Sequence, residues 1–210
     1  MLSQDLAAST PFAEIANFYD GLVNRYGYDP RACDYGRRES QQLKFRVLSE
    51  VLPMTGKRVL DVGCGFADYA GFLEKRWGAI DYVGVDLSPR MISEARLLKP
   101  DLDVRCLNIF IHPPSESFDV VNANGIFYLL GDNAAELMEE FVARMFALAN
   151  SAVAFNSLSN WATAKDAGEF YADPLKVVAF CRTLTSRVVL RHDYLGHDFT
   201  IYLYREDHSG

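Results

Sequence analysis

The sequence has little cysteine and little histidine. Four residues of each type occur among 210, and the cysteines, at positions 33, 64, 106 and 181, form no C-x-x-C pair. A structural zinc site needs clustered thiol and imidazole ligands, and a small disulfide scaffold needs a denser cysteine framework. The sequence therefore predicts no metal site, and it predicts reduced, mostly buried thiols.

Long apolar runs and excess basic charge are absent as well. No stretch of about 18 uncharged apolar residues occurs, and MLSQDLAAST lacks the basic start and apolar segment of a secretory signal. There are 21 Lys plus Arg against 28 Asp plus Glu, a formal net charge of -7. This balance disfavours binding to phosphate backbones and anionic lipid. We expect a cytoplasmic protein that binds neither nucleic acid nor membrane.

What the sequence does have is the composition of an ordinary globular domain. Hydrophobic residues make up 50% and charged residues 23%, which allows a core without disulfides or metal. A chain of 210 residues fits one compact domain. Within it we expect an N-terminal helical lid over residues 1–55 and a larger part over residues 56–210. We expect a monomer or a homodimer.

The first fifty residues predict two helices separated by a loop over residues 26–40. The loop contains Gly27, Pro30 and Gly36. The helices are indicated by apolar residues at helical spacing. These residues are Ile15, Phe18, Leu22 and Tyr26, then Leu43, Val47 and Val51.

From residue 57 onward the apolar pattern predicts an α/β fold. Short apolar runs alternate with amphipathic segments: RVLDV, ADYAGFLEKRW, YVGVD, SPRMISEARLL and DVRCL. Runs without in-out alternation are typical of parallel strands covered by helices on both faces. Further strands are predicted at FDVVNA and AVAFN, with helices over about 134–148 and from Asp173 to about Cys181.

The last two β-rich runs, RVVLRHDYL and DFTIYLYR, are separated only by Gly196 and His197. This connection demands an antiparallel hairpin, because parallel strands need a crossover of about a dozen residues or more. His192, Asp193 and His197 cluster here. They are surface groups if the hairpin lies away from the ligand site, and one histidine can act as a general base if the turn folds over it.

The stretch VLDVGCGFADYAGFL, residues 59–73, carries the chemistry. Asp61, Gly63 and Gly65 lead from a strand into a helix, so the backbone can approach a ligand where a Cβ would block it. Asp86 ends the next strand, where a carboxylate can accept both hydroxyls of a ribose. Together these features predict a nucleoside site.

The charge of that site argues against a dinucleotide. Where a dinucleotide fingerprint has its third glycine, this sequence has Asp68. Because Asp61 and Asp68 would repel a diphosphate, we expect a positively charged nucleoside.

The stretch resembles the class I S-adenosylmethionine-dependent methyltransferases, in which a strand ending in [VL]LD[VL]GCG opens the domain. The resemblance covers about residues 56–157. It implies a Rossmann-like three-layer sandwich, with a mostly parallel seven-stranded sheet that ends in an antiparallel hairpin. Residues 56–210 would then be the S-adenosylmethionine-binding domain, with S-adenosylmethionine as cosubstrate and no metal.

The same resemblance implies cofactor contacts by position. The methionine portion would lie against Asp61, Gly63, Cys64 and Gly65. Asp86 would bind the ribose, and the adenine would lie against Leu87, Asn108 and Ile109. The reacting sulfonium would face Asn124 and Gly125.

Aromatic residues border the expected reacting end, where an aromatic face can stabilise a sulfonium. Tyrosines 19, 26, 35, 128 and 171 and Phe127 lie on segments expected to form the lid and the acceptor pocket. We predict substrate contacts by Tyr19, Tyr26, Arg37 and Tyr128, since a guanidinium also recognises a carboxylate. The predicted catalytic residues are Asn124, Tyr171 and Asn156.

Three functions stay open. The first is methyl transfer to a small molecule by in-line displacement; with no base evident, amine or carboxylate acceptors are favoured. The second is cyclisation, in which the cofactor's own α-amine attacks its γ-carbon, expels methylthioadenosine and forms azetidine-2-carboxylate, because the chain also resembles azetidine-2-carboxylate synthases. The third is a non-catalytic nucleoside-binding domain.

Overall fold

The protein is described by a computed structural model over residues 11–34 and 37–205. The segment MLSQDLAAST, Tyr35 and Gly36, which entered the sequence predictions, lie outside the described residues. Among the helices that are described, none is both long enough and apolar enough to span a membrane.

The N-terminal part contains helix α1 (Pro11–Tyr26), a 3-10 turn (Pro30–Cys33) and helix α2 (Arg38–Leu48). The loop predicted over 26–40 is therefore wrong at its end, because α2 already begins at Arg38. The first turn of α2 is polar, so apolar spacing could not reveal it. Val51, assigned to the same helix, lies beyond its end.

Strands and helices then alternate as the sequence predicts. The elements are β1 (Arg58–Val62), α3 (Asp68–Trp77), β2 (Asp81–Asp86), α4 (Pro89–Leu98), β3 (Asp103–Cys106), β4 (Phe118–Ala123), α5 (Ala134–Leu148), β5 (Ala149–Leu158), α6 (Pro174–Leu184), β6 (Val188–Leu195) and β7 (Asp198–Tyr204). Strand β5 is longer than AVAFN because its pairing with β7 continues to Leu158, opposite Asp198. Helix α6 likewise continues past Cys181.

The strands form one seven-stranded sheet in the order β3-β2-β1-β4-β5-β7-β6. Strands β1 to β5 pair in parallel, and β7 is antiparallel to both β5 and β6. The predicted fold, including the final hairpin, is confirmed. The chain order reverses between β1 and β4, and in open α/β sheets ligands bind at the carboxyl ends of the strands at such a switch point.

The two faces of the sheet have different cores. On one face, Leu60, Val121 and Val153 pack with apolar side chains of α5 and α6. On the other face, Val59 and Val120 pack with side chains of α2 and α3. Because side chains alternate along a strand, the second face also carries a series of polar residues near the carboxyl edge: Asp61, Asn122, Asn156 and Thr200, all buried.

Two helices begin at side-chain caps followed by proline. The Ser88 hydroxyl accepts a hydrogen bond from the Met91 backbone N–H at 3.0 Å, with Pro89 at the first helical position. Asp173 accepts from the Leu175 backbone N–H at 2.9 Å, followed by Pro174. Such caps satisfy backbone donors that the helix itself leaves unpaired.

The cap at Asp173 can be tested by substitution. We expect Asp173→Ala to lower the free energy of unfolding by about 1 kcal/mol, because α6 then loses the acceptor for its first N–H groups. Asp173→Asn is the matched control, since asparagine caps comparably, and it should stay close to wild type. Urea denaturation of both variants measures the difference; equal destabilisation by both substitutions would contradict a capping role.

Candidate active site

A cavity of about 590 Å³ opens at the carboxyl edge of the sheet. Side chains and backbone from α1, α2, the glycine loop, the ends of β2 and β4 and the β6–β7 turn line it. All ten residues predicted to contact the cofactor are among the lining: Asp61, Gly63, Cys64, Gly65, Asp86, Leu87, Asn108, Ile109, Asn124 and Gly125.

The glycine loop is fixed by backbone contacts to the end of β2. The N–H groups of Gly63 and Cys64 both donate to the Val85 carbonyl, at 2.8 and 3.0 Å. Gly63 has a φ of +73°, and a Cβ there would lie 2.4 Å from Cγ2 of Ile126. Only glycine fits this combination of left-handed backbone and close approach.

Asp86 is held by two backbone donors. Its Oδ2 accepts from the Gly65 N–H and its Oδ1 from the Ser88 N–H, both at 2.9 Å. Burial raises the pKa of Asp86, and these hydrogen bonds oppose that rise. Each carboxylate oxygen accepts more than one hydrogen bond, so the group can also receive hydroxyl donors from a ligand.

Asp61 is a buried carboxylate beneath the loop. Its Oδ2 accepts a hydrogen bond from the Tyr82 hydroxyl at 2.6 Å. Burial raises the pKa of Asp61 to about 7; the Tyr82 hydrogen bond lowers it, and the charge of Asp86 raises it. A nearby cation would favour its ionised form.

Asp68 does not supply the uncompensated negative charge that the sequence analysis assigned to it. Its carboxylate accepts from Lys99 Nζ and from the Tyr28 hydroxyl, each at 2.8 Å. Lys99 therefore compensates the charge of Asp68. The repulsion of a diphosphate rests on Asp61 and Asp86 instead.

Asn156 does not lie at the cavity surface, where its predicted catalytic role would require it. It is fully buried and is not part of the cavity lining. Its Oδ1 accepts from the Gly125 N–H at 2.6 Å, and its Nδ2 donates to Asn124 Oδ1 at 2.8 Å. The expected direct contact of Asn156 with the reacting groups is therefore corrected: Asn156 holds the turn after β4, and Asn124 faces the cavity.

Two of the predicted substrate residues meet in the cavity wall. The hydroxyls of Tyr19 and Tyr128 are 2.9 Å apart, and Tyr128 donates to Asp34 Oδ2 at 2.7 Å. All three residues line the cavity. Burial raises the pKa of both tyrosines, so they stay neutral hydroxyls at physiological pH.

The other predicted residues differ in whether they line the cavity. Tyr171 lines the cavity, donates to Glu169 Oε2 at 2.7 Å and accepts from the Asp166 N–H at 2.9 Å. Tyr26 and Arg37 do not line it. The Tyr26 ring packs under the guanidinium groups of Arg25 and Arg31, and Arg37 is exposed before α2. These two predictions of substrate contact are corrected, because neither side chain reaches the cavity.

Sequence reasoning missed an ion pair in the cavity lining. Lys44 Nζ lies 2.6 Å from Asp198 Oδ2, and the Asp198 side chain is 1% exposed. Asp198 also accepts from the Tyr194 hydroxyl. Helical spacing of Gln41, Lys44 and Phe45 could have indicated one shared face of α2, but nothing local pairs Lys44 with a residue of β7.

Of the two histidines predicted near the hairpin turn, one lines the cavity. His197 is part of the lining. His192 Nε2 instead lies 2.8 Å from the Ser159 hydroxyl, and Asp193 pairs with Arg191. Over residues 11–34 and 37–205, no group of three or more His, Cys, Asp or Glu side chains is arranged to hold a metal ion.

Comparisons with known proteins agree with this geometry. A family model described as a methyltransferase domain matches residues 59–147. A Mycobacterium tuberculosis protein named as a methyltransferase is 28% identical over 67% of this chain and 89% of its own length. Trans-aconitate 2-methyltransferase of Escherichia coli is 36% identical over 37% of this chain, a stretch that spans only 31% of that enzyme.

Solved structures share the fold across nearly the whole chain. Magnesium protoporphyrin IX methyltransferase of Synechocystis PCC 6803, with bound S-adenosylmethionine, has a TM-score of 0.69 at 13% identity, covering 93% of this chain and 97% of that one. The DhpI-SAM-HEP complex has a TM-score of 0.69 at 14% identity, covering 94% and 99%. At 13–14% identity these structures show that the chain has the fold of S-adenosylmethionine-dependent methyltransferases, and the family model shows that residues 59–147 are similar to a methyltransferase domain.

Proposed function

We propose that this enzyme transfers the methyl group of S-adenosylmethionine to a small molecule by in-line displacement. The supporting observation is that one cavity is lined both by the glycine loop and by Tyr128 and Tyr171. A nucleophile can therefore be held behind the methyl carbon, opposite the sulfur, away from bulk water. The volume of about 590 Å³ is within the range of small-molecule sites.

The lining residues fit this cofactor by their chemistry. We assign the backbone of Gly63, Cys64 and Gly65 to the methionine portion, with Asp61 facing its ammonium group. We assign Asp86 to the ribose hydroxyls. An uncharged adenine edge would lie against Leu87, Ile109 and Asn108, whose Oδ1 already accepts from the Phe110 N–H at 2.9 Å.

At the reacting end we assign Asn124 and Gly125 to the sulfonium side. Asn156 is the positioning residue for that turn, because its amide bonds to both. Tyr19, Tyr128 and Tyr171 would surround the acceptor and offer aromatic faces and hydroxyls. These groups orient the acceptor and exclude water while the carbon moves from sulfur to the nucleophile.

The acceptor class stays open between amines and carboxylates. One relative is named for trans-aconitate, an acid, and the solved structure of NodS from Bradyrhizobium japonicum WM9 is named an N-methyltransferase. A carboxylate is already a nucleophile, whereas an ammonium must first lose a proton. A location in the cytoplasm and a role in small-molecule metabolism are part of the same proposal.

Product analysis tests the proposed reaction. We expect purified protein to leave S-adenosylmethionine intact when incubated alone, and to release S-adenosylhomocysteine with at least one member of a panel of small amines and carboxylic acids. Mass spectrometry of nucleoside products measures both. Methylthioadenosine together with azetidine-2-carboxylate, formed from the cofactor alone and absent from a heat-killed control, would establish cyclisation instead. Binding without any turnover across the panel would favour the non-catalytic alternative.

The glycine loop gives a second test. We expect Gly63→Ala to weaken S-adenosylhomocysteine binding at least about tenfold, because the added Cβ meets Ile126 and the residue has a φ of +73°. Gly71→Ala is the matched control: Gly71 lies inside α3, and a Cβ there meets nothing within 4 Å. Isothermal titration calorimetry of both folded variants measures their affinities for S-adenosylhomocysteine. Equal affinities of the two variants would contradict a close approach of ligand and loop at Gly63.

The pKa of Asp61 predicts a pH dependence. With a pKa of about 7, Asp61 is largely protonated at pH 6 in the free enzyme and half ionised at pH 7. Because the cofactor's ammonium favours the carboxylate, we expect affinity for S-adenosylmethionine to rise about fivefold from pH 6 to pH 7. In Asp61→Asn binding should be weaker and flatter over this interval. A wild-type slope preserved in that variant would assign the titration to another group, such as Asp86.

A further inference from the structure

Asn122 is a buried polar side chain that the proposed chemistry leaves unused. It lies on β4, is 0% exposed, and neither its Oδ1 nor its Nδ2 has a hydrogen-bond partner. The hydroxyl of Tyr69, which is 2% exposed, also lacks a partner. Buried polar atoms are as a rule paired with protein groups or with ordered water, because an unpaired one costs its full desolvation penalty.

Strand register places Asn122 beside Asp61. The two are direct neighbours in the parallel pair β1–β4. Side chains at paired positions of neighbouring strands point to the same face, about 4.8 Å apart along the hydrogen-bonding direction. That face is covered by the apolar layer that includes Phe45 and Tyr69. The partnerless amide and hydroxyl therefore belong to the environment of the Asp61 carboxylate.

We propose that Asn122 is a positioning residue for Asp61, acting through ordered water held between the Asn122 amide, the Asp61 carboxylate and the Tyr69 hydroxyl. Tyr82 already donates to Oδ2 of Asp61, so we assign the hydrogen bond from this water to Oδ1. An internal water needs two to four polar partners in a polar site, and these three side chains supply them.

The consequence concerns cofactor affinity. A donor to the second oxygen of Asp61 stabilises its ionised form and fixes the plane of the carboxylate toward the ligand. The inference rests on the assignment of Asp61 to the cofactor's ammonium. The other titratable groups near Asp61 are Tyr82, Tyr69, Cys64 and Asp86. None of these four residues is itself substituted in a variant of Asn122.

Substitution of Asn122 by leucine, which has similar volume and no polar atoms, tests the proposal. We expect Asn122→Leu to weaken S-adenosylhomocysteine binding about tenfold at pH 7, the loss expected for one hydrogen bond to a charged group. The midpoint of affinity against pH should move to higher pH, because the carboxylate loses a donor. Isothermal titration between pH 6 and pH 8 measures both quantities.

Thr200→Val is the matched control. Thr200 is a buried polar residue on the same face of the sheet, outside the cavity lining, and its substitution should leave affinity and midpoint unchanged. Wild-type affinity and midpoint in folded Asn122→Leu would overturn the proposal. A shift of the same size in both variants would also overturn it, because the effect would then be general to the core.

A crystal structure of the wild-type enzyme with S-adenosylhomocysteine decides the matter if Asn122→Leu does not fold. Ordered water within hydrogen-bond distance of both the Asn122 amide and Asp61 supports the proposal. A dry contact between the two side chains, or no solvent between them, overturns it. Neither experiment depends on turnover, so failure to find a methyl acceptor leaves the outcome interpretable.

Discussion

The binding site depends on the attachment of the glycine loop to the end of β2. Val85 accepts two N–H groups of the loop, and Asp86 accepts a third, from Gly65. These bonds fix the loop backbone in the conformation that exposes it to the cavity. The bond from Gly65 also holds the Asp86 carboxylate in place. A ligand therefore meets a preorganised surface, so little conformational entropy is lost from the loop when it binds.

Charge around the cavity is arranged so that only some carboxylates are left for the ligand. Asp68 is neutralised by Lys99 and Asp198 by Lys44. Asp61 is buried and Asp86 is partly buried, neither forms an ion pair with another described residue, and removal from water raises the pKa of both. On the proposed function, a cofactor that carries an ammonium and a sulfonium compensates this cost when it binds. The empty protein then gives up some stability in exchange for selectivity toward a cationic nucleoside.

The cavity wall around Tyr128 is assembled by hydrogen bonds between distant parts of the chain. Tyr19 of α1 meets Tyr128, which follows β4, and Tyr128 bonds to Asp34 next to the 3-10 turn. Asn156 of β5 fixes the turn after β4. The N-terminal helices and the sheet therefore form one wall of the cavity, and the geometry of that wall depends on how the two parts are packed. The division at residue 55, like the oligomeric state, stays a prediction.

The sequence by itself determined the alternation of strands and helices, the antiparallel hairpin and the ten residues that line one cavity, because each depends on local periodicity, loop length or a motif. Only the tertiary structure decided that Lys99 compensates Asp68, that Asn156 lies behind the wall, that Tyr26 and Arg37 lie outside it, and that Lys44 meets Asp198. These contacts join residues far apart in the chain. Their partners are set by the crossing of packed elements, which no local pattern encodes.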